Sequence, residues 1–261
     1  MKIKKILVPF DMSEAAKVAL KYAIEFCQVD HDLEIHTVTI PKETIIYDGQ
    51  QISNAIKAIK DSQTKYRGEI KVHFLTGELI ETIISLQEKL GIDLIIMGTN
   101  QKLQTEDGKT KTSRLVLEAD FPVLVVPREE REFGIKKIVV VMDRNEIDDE
   151  NTLNVLLALA QQFEAKIQVL TIYKDAKEFE HDLADEKIEA LLEYHLGSFY
   201  ENHAFKKSND LDKAIFEFAE NNQMDLLAIL PRNHTTKNTP SKGKLTELLT
   251  LKTNIPLLTI N

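Results

Sequence analysis

The sequence predicts an α/β protein made of two tandem domains, each a doubly wound, parallel five-stranded sheet of Rossmann-like type. Three observations predict this class. The segments Leu94–Met97 and Val123–Val126 are apolar throughout, which is typical of strands covered on both faces. Strand-like and helix-like segments alternate along the first half, as they do in βα units. The same order then restarts 132 residues later.

The first half opens with a short apolar strand that ends before Asp11. Ser13 can accept a hydrogen bond from a free N–H of the next turn and so begin a helix. Apolar residues then recur at helical spacing and form one inward stripe: Ala16, Leu20, Ala23, Ile24 and Cys27. This first strand and helix set the pattern that the rest of the half follows.

Periodicity and turn residues place the remaining elements of the first half. The predicted strands are Lys5–Phe10, Leu33–Ile40, Ile70–Leu75, Asp93–Met97 and Pro122–Val126. The later helices are predicted around Ile52–Tyr66, over Glu78–Leu90 and from about Thr112. The Glu78–Leu90 helix is expected to turn an apolar face inward: Leu79, Ile80, Ile83, Ile84 and Leu90.

An internal repeat divides the chain. Lys4–Asp11 matches Lys136–Asp143 at an offset of 132, and Asp93-Leu94-Ile95 matches Asp225-Leu226-Leu227 at the same offset. After the polar loop the offset becomes 134. A duplication therefore gives domains at 1–130 and 131–261, with a charged linker around 128–134. In the second half, a long amphipathic helix over Asp175–Leu196 is expected to cover the sheet with its apolar residues, Leu191 and Leu192 among them.

Composition narrows the classes of function. The net charge is −9, divided as −3 over 1–130 and −6 over 131–261, which opposes nonspecific nucleic-acid binding. No apolar run approaches the length of a membrane span, and the apolar run after the basic start is too short for a signal peptide. The single cysteine, Cys27, excludes an internal disulfide framework. These features favour the cytoplasm.

Several motifs together resemble the universal stress protein family in its tandem form. They are the opening Lys5-Ile6-Leu7-Val8-Pro9, Asp93-Leu94-Ile95-Ile96-Met97-Gly98-Thr99, and the run from Thr112-Ser113-Arg114 into Phe121-Pro122-Val123. The resemblance implies an adenine nucleotide α-hydrolase-like fold. It also implies that the two halves pair through their last strands as a pseudo-dimer, that the chain can form a homodimer, and that it acts through protein partners.

ATP-binding members of that family carry a loop of the form Gly-x2-Gly-x9-Gly followed by Ser or Thr. Gly98 supplies the first glycine, but the second position is Gln101, and the last falls on Lys111-Thr112 or Lys109-Thr110. The resemblance thus implies ATP or a related adenine nucleotide, with magnesium, as ligand of the first half. The implied binding residues are Pro9, Phe10, Asp11, Val38, Met97, Gly98, Thr99, Gln101, Lys109, Thr110, Lys111 and Thr112.

The second half departs further from the ATP-binding pattern. The fourth strand of this half ends Ala228-Ile229-Leu230-Pro231, with no glycine where Gly98 stands in the first half. Pro231 lacks a backbone donor, and Lys244 follows Gly243 where a hydroxyl is expected. No conventional ATP site is expected there. Asp143, the counterpart of Asp11, is expected to have a structural role.

Three functions stay open from the sequence. One is a binding and signalling protein gated by a nucleotide, in which Lys109 and Lys111 replace glycine amides with ammonium charge. The second is a slow ATPase, and the third is an interaction protein whose loop has lost its ligand. No nucleophile elbow, P-loop or metal-ligand spacing is present, so neither a catalytic residue nor a metal site is predicted. His181, His195 and His203 are expected to be solvated.

Overall fold

A computed structural model gives the fold for most of the chain. It describes residues 2–28, 32–41, 48–63, 66–99, 110–128, 132–142, 150–174, 186–230 and 244–260. These residues fall into two compact units, Ile3–Phe133 and Gly134–Asn261, the second of which also includes Met1–Lys2. No helix within the described ranges is long and apolar enough to cross a membrane.

The first unit alternates strands and helices as expected. In chain order its elements are β1 (Lys5–Pro9), α1 (Glu14–Phe26), β2 (Glu34–Thr39), α2 (Gly49–Ser62), β3 (Ile70–Phe74), α3 (Leu79–Leu90), β4 (Leu94–Thr99), α4 (Lys111–Glu118) and β5 (Val123–Pro127). All the strand pairs are parallel, in the order β3-β2-β1-β4-β5. The predicted doubly wound sheet is confirmed.

Burial follows the predicted apolar runs. Every residue of β5 is buried, and β4 is buried except at Gly98. The inward stripe of α1 is buried along its whole length, including Cys27. On α3 the core residues are Ile80, Ile83 and Leu86, whereas the predicted Leu79, Ile84 and Leu90 are only half-buried.

Some predicted boundaries were wrong by a few residues. The two helix starts were wrong because the capping residues were missed. The helix α2 begins at Gly49, since the Asp48 side chain accepts from the Gln50 N–H, and Tyr66 lies outside it. The helix α3 begins at Leu79 with Glu78 as N-cap. The strand β4 begins after Asp93 and continues to Thr99, whose partner in β5 is Pro127.

The second unit has the same strand order. Its elements are β6 (Lys137–Val141), α5 (Glu150–Phe163), β7 (Lys166–Tyr173), α6 (Glu186–Leu196), a 3₁₀ turn (Gly197–Phe199), β8 (Tyr200–Lys207), α7 (Leu211–Asn221), β9 (Leu226–Ile229), α8 (Lys244–Lys252) and β10 (Leu257–Thr259). The parallel strands are ordered β8-β7-β6-β9-β10. Each unit is therefore a five-stranded parallel α/β sheet.

Individual hydrogen bonds repeat at the sequence offset. Asp93 Oδ2 accepts the Lys4 and Lys5 N–H groups at 2.8 and 2.9 Å. In the second unit Asp225 Oδ2 accepts the Lys136 and Lys137 N–H groups at the same distances. Each aspartate therefore ties the start of its unit's first strand to the start of the fourth.

A second bond repeats at the other end of these strands. The Thr39 hydroxyl donates to the Phe10 carbonyl at 2.8 Å, and Thr171 donates to the Met142 carbonyl at 3.0 Å. The offset is again 132 residues, so the equivalence seen in sequence holds for single hydrogen bonds as well as for strand order.

The second unit also corrects two expectations. The described part of the predicted Asp175–Leu196 helix is α6, where Leu192 is fully buried but Leu191 is 39% exposed. His203 was expected to be solvated, but its side chain is 7% exposed and its Nε2 lies 2.8 Å from the Thr171 hydroxyl. The sequence pattern did not show this burial because it comes from the pairing of β7 with β8.

Candidate functional site

The strand order of the first unit reverses between β1 and β4. The chain leaves β1 towards β2 and β3, then returns to β4 on the other side of β1. In open α/β sheets, ligands bind outside the carboxyl ends of the strands at such a reversal. The residues at this edge are Pro9, Phe10 and Asp11 after β1, and Met97, Gly98 and Thr99 at the end of β4.

The end of β1 is fixed by bonds to β2. Pro9 lies in register with Val38, the Phe10 N–H donates to the Val38 carbonyl at 2.8 Å, and all three residues are buried. Met97 is also buried, at 8% exposure. The structure thus brings the predicted apolar residues of the base site to one edge, with their side chains in the protein interior.

Asp11 leaves the sheet on a tight turn. Its side chain is exposed, and its Oδ1 accepts the Ser13 N–H at 3.2 Å, while the Ser13 hydroxyl accepts the Ala16 N–H and caps α1. Met12 between them has φ of 65°, an uncommon conformation for a residue with a side chain. The cap is therefore Ser13, and the exposed Asp11 carboxylate stands outside the helix at the edge.

Gly98 is required by packing. A Cβ at this position would lie 2.1 Å from the carbonyl oxygen of Ala15 and 2.5 Å from its carbonyl carbon. The first turn of α1 therefore rests directly on β4, and only glycine permits that approach. This packing accounts for the glycine whether or not a phosphate lies nearby.

Hydroxyl groups close the N-terminus of α4. The Thr110 hydroxyl accepts the Ser113 N–H, and the Ser113 hydroxyl accepts the Thr110 N–H, both at 3.0 Å, which is a reciprocal capping box. The Thr112 hydroxyl donates to the Gly98 carbonyl at 3.0 Å. All three side chains are buried, whereas Lys111 is exposed at the first helical position.

Thr99 is the exception among these hydroxyl groups. Its side chain is fully buried at the end of β4, and its Oγ1 has no hydrogen-bond partner within the described part of the chain. An unsatisfied buried hydroxyl costs about 1–3 kcal/mol. Thr99 Oγ1 lies at the edge where the strand order reverses. An oxygen atom of a ligand at this edge would give the hydroxyl a hydrogen-bond partner.

Some predicted site residues cannot be placed. Gln101 and Lys109 lie outside the described residues, as does Asp143 in the second half. The same holds for Pro231 and Gly243, on which the expectation of no second ATP site rested. Within the described ranges, no cluster of three or more His, Cys, Asp or Glu residues could hold a metal ion.

Comparison with known proteins identifies the domain to which this edge belongs. The model of the universal stress protein family matches residues 2–127, which contain every strand and helix of the first unit. Residues 2–127 therefore form a universal stress protein domain.

Relatives and solved structures agree with the assignment. Two universal stress proteins from Methanocaldococcus jannaschii are 28% and 25% identical, over 149 and 156 residues. Those alignments cover 49% and 48% of this chain, and 85% and 96% of the relatives. The structure of a universal stress protein from Archaeoglobus fulgidus matches 99% of this chain and 96% of its own at a TM-score of 0.65 and 15% identity. That last likeness shows the shared fold.

Several residues that shape the edge of this universal stress protein domain were missed from the sequence. Thr39 bonds the Phe10 carbonyl, and Ser113 completes the capping box of α4. The second had a local signal, because a hydroxyl three residues after Thr110 is the spacing of a capping box. The positive φ of Met12 had none, because methionine gives no indication of a left-handed turn.

Proposed function

We propose that this universal stress protein is a non-enzymatic stress-response protein that binds ATP or a related adenine nucleotide, with magnesium, in its N-terminal domain. It acts by contacting protein partners, and the nucleotide gates those contacts. The ligand lies at the edge where β1 and β4 end. The observation that carries this proposal is the orphaned hydroxyl of Thr99 at that edge.

Each described residue at the edge has a role that its chemistry suits. The exposed Asp11 carboxylate accepts hydrogen bonds from the ribose or the amino group of the base. Pro9, Val38 and Met97 supply apolar surface at the strand ends. Lys111, exposed at the N-terminus of α4, adds positive charge where a phosphate would approach a helix terminus. The described residues offer this site no carboxylate cluster for hydrolysis, which favours binding over turnover.

A second candidate is an interaction protein that holds no nucleotide. It is favoured by the hydroxyl groups of Thr110, Thr112 and Ser113, all of which already bond within the protein. It is also favoured because packing against Ala15 alone accounts for Gly98.

Native mass spectrometry of the purified chain with and without Mg-ATP separates the two candidate functions. An adduct confirmed by calorimetry supports the first, and its absence in both supports the second. Release of phosphate from bound ATP would instead indicate a slow ATPase.

Replacing Asp11 with alanine is expected to weaken nucleotide binding by a factor of about 10 to 100, since a hydrogen bond to a charged group contributes about 1.5–3 kcal/mol. The matched control is Asp143→Ala, the same change at the equivalent position of the second half, which should leave affinity unchanged. Calorimetric titration of both variants with Mg-ATP measures the difference. Equal losses in the two would show that the site is not confined to the first half.

Replacing Thr99 with valine separates a ligand contact from a structural one. Valine keeps the shape of threonine and removes an unsatisfied hydroxyl, so the free energy of unfolding of the ligand-free protein should stay within about 1 kcal/mol or rise. Mg-ATP affinity should fall several-fold, because the bound phosphate or ribose would lose a partner. Thr99→Ser, which keeps the hydroxyl, should bind like the original. Unchanged affinity in Thr99→Val would remove the observation on which the proposal rests.

A further inference from the structure

Two histidines face each other on the neighbouring strands β2 and β3. His36 on β2 and His73 on β3 place Nδ1 and Nε2 3.0 Å apart. Their rings are nearly parallel, at 5° and 5.3 Å between centroids. The His36 side chain is 4% exposed, whereas His73 is only partly buried. The proposed nucleotide site does not use this pair.

Charged groups from three elements face the pair. On β2, Glu34 Oε2 lies 3.3 Å from His36 Nε2, and on β3 Lys71 Nζ donates to the same oxygen at 2.8 Å. On α3, Lys89 adds positive charge near His73. The Lys71 and His36 hydrogen bonds hold the pKa of Glu34 below its ordinary value, so Glu34 stays ionised in mildly acidic solution.

One arrangement of protons satisfies all of these bonds. Because an ionised carboxylate only accepts, His36 must carry its proton on Nε2, which leaves Nδ1 as an acceptor. His73 must then donate from its Nε2 to that nitrogen. A first proton can still be accommodated, either on His73 Nδ1 with the bond unchanged or on His36 Nδ1 with the donor and acceptor exchanged. A second proton puts an N–H on each of the facing nitrogens, and the bond between the strands is lost.

The surroundings favour the neutral pair. Burial lowers the pKa of His36 below its ordinary value, and the nearby Glu34 opposes this only in part. Burial also lowers the pKa of His73, with smaller contributions from Lys71 and Lys89. Two groups in contact titrate as a pair in two coupled steps.

The contact between His36 and His73 matters because β3 lies at the edge of its sheet. Among the described strands, β3 pairs with β2 alone, so it is an edge of its sheet. None of its residues is fully buried, and Phe74 is 46% exposed. An edge strand with so little buried surface depends more than a central strand on each contact that holds it.

We propose that His36 and His73 form an acid-sensitive latch, which holds the edge strand β3 on β2 at neutral pH and releases it when both rings are protonated. The unfolded chain binds these protons near the ordinary histidine pKa of about 6.5, whereas the native pair binds them at lower pH. The stabilisation by the latch is therefore complete above about pH 6.5 and is lost as the pH falls below it.

Hydrogen exchange of the β3 amides tests the latch in the full chain. After correction for intrinsic exchange rates, protection over Ile70–Phe74 should fall about tenfold or more between pH 7.5 and pH 5.0. In His73→Gln, which donates a neutral hydrogen bond, protection should fall less over the same pH range, because only His36 remains to be protonated. His195→Gln, on α6 of the other unit, is the control and should behave like the original protein.

Imidazole nitrogen NMR of the unmutated protein tests the same proposal without a variant. His36 and His73 should titrate together below pH 6.5, with His36 in the Nε2–H tautomer at neutral pH. Two independent titrations near the ordinary value would overturn the latch. So would pH-independent protection of β3 in the original protein, or the same pH dependence in His73→Gln.

Discussion

Replacing Gly98 with alanine is expected to destabilise the N-terminal universal stress protein domain by about 3 kcal/mol or more. The new Cβ would lie 2.1 Å from the Ala15 carbonyl oxygen, a backbone atom in the first turn of α1. No side-chain rotation relieves such a contact, so either α1 or β4 must move. Both elements are buried in the core, and a displacement of either spoils the packing of its neighbours.

Urea denaturation followed by circular dichroism measures this effect, and Gly49→Ala is the matched control. A Cβ at Gly49 would lie 3.5 Å from Phe74, which is ordinary contact, and the position opens α2. Since alanine favours a helix over glycine by up to about 1 kcal/mol, this control should be neutral or stabilising. Similar unfolding free energies for the two variants would show that α1 does not rest on β4 as described.

The result for Gly98→Ala also bears on how glycines in phosphate-binding loops are interpreted. The sequence pattern makes Gly98 the first glycine of a phosphate-binding loop, and the resemblance to ATP-binding members of the family rests partly on it. The contact with Ala15 gives a reason that involves no ligand. The case for a nucleotide therefore depends on Asp11 and Thr99, which are the positions that the binding experiments change.

The sequence predicted the strands and helices well because their patterns are local. The apolar runs in β4 and β5, the stripe of α1 and the Ser13 cap each depend on residues within a few positions of one another. Boundaries failed where the capping residue was unexpected, as with Glu78 before α3. Glutamate is not among the preferred N-cap residues.

The candidate site was less predictable because its contacts are not local. The Thr112 hydroxyl reaches the Gly98 carbonyl across 14 positions, and His36 meets His73 across 37. The second contact follows from the register that pairs Val38 with His73, which no short pattern specifies. The repeat at 132 residues was the long-range signal that the sequence did contain, and it located the paired aspartates Asp93 and Asp225.

Asp93→Ala and Asp225→Ala are each expected to destabilise their own unit by about 2 kcal/mol. In both, one carboxylate oxygen accepts two backbone N–H groups at 2.8 and 2.9 Å, and hydrogen bonds to a charged group are among the stronger ones in proteins. Alanine leaves both donors to water and frees the start of β1 or β6. Because the hydrogen-bond distances are the same in both units, we expect the two variants to lose the same amount of unfolding free energy.

Hydrogen exchange resolved by peptide assigns each loss to its unit, and urea denaturation gives its size. Asp93→Ala should lower protection in β1 and β4 while β6 and β9 keep theirs, and Asp225→Ala should do the reverse. Asp120→Ala, at an exposed aspartate of the first unit, should change stability by no more than about 0.5 kcal/mol. If only one of the two variants loses a large part of its unfolding free energy, equal hydrogen-bond geometry does not give equal stabilisation in the two units. The two units would then have diverged in what stabilises them, despite their common strand order.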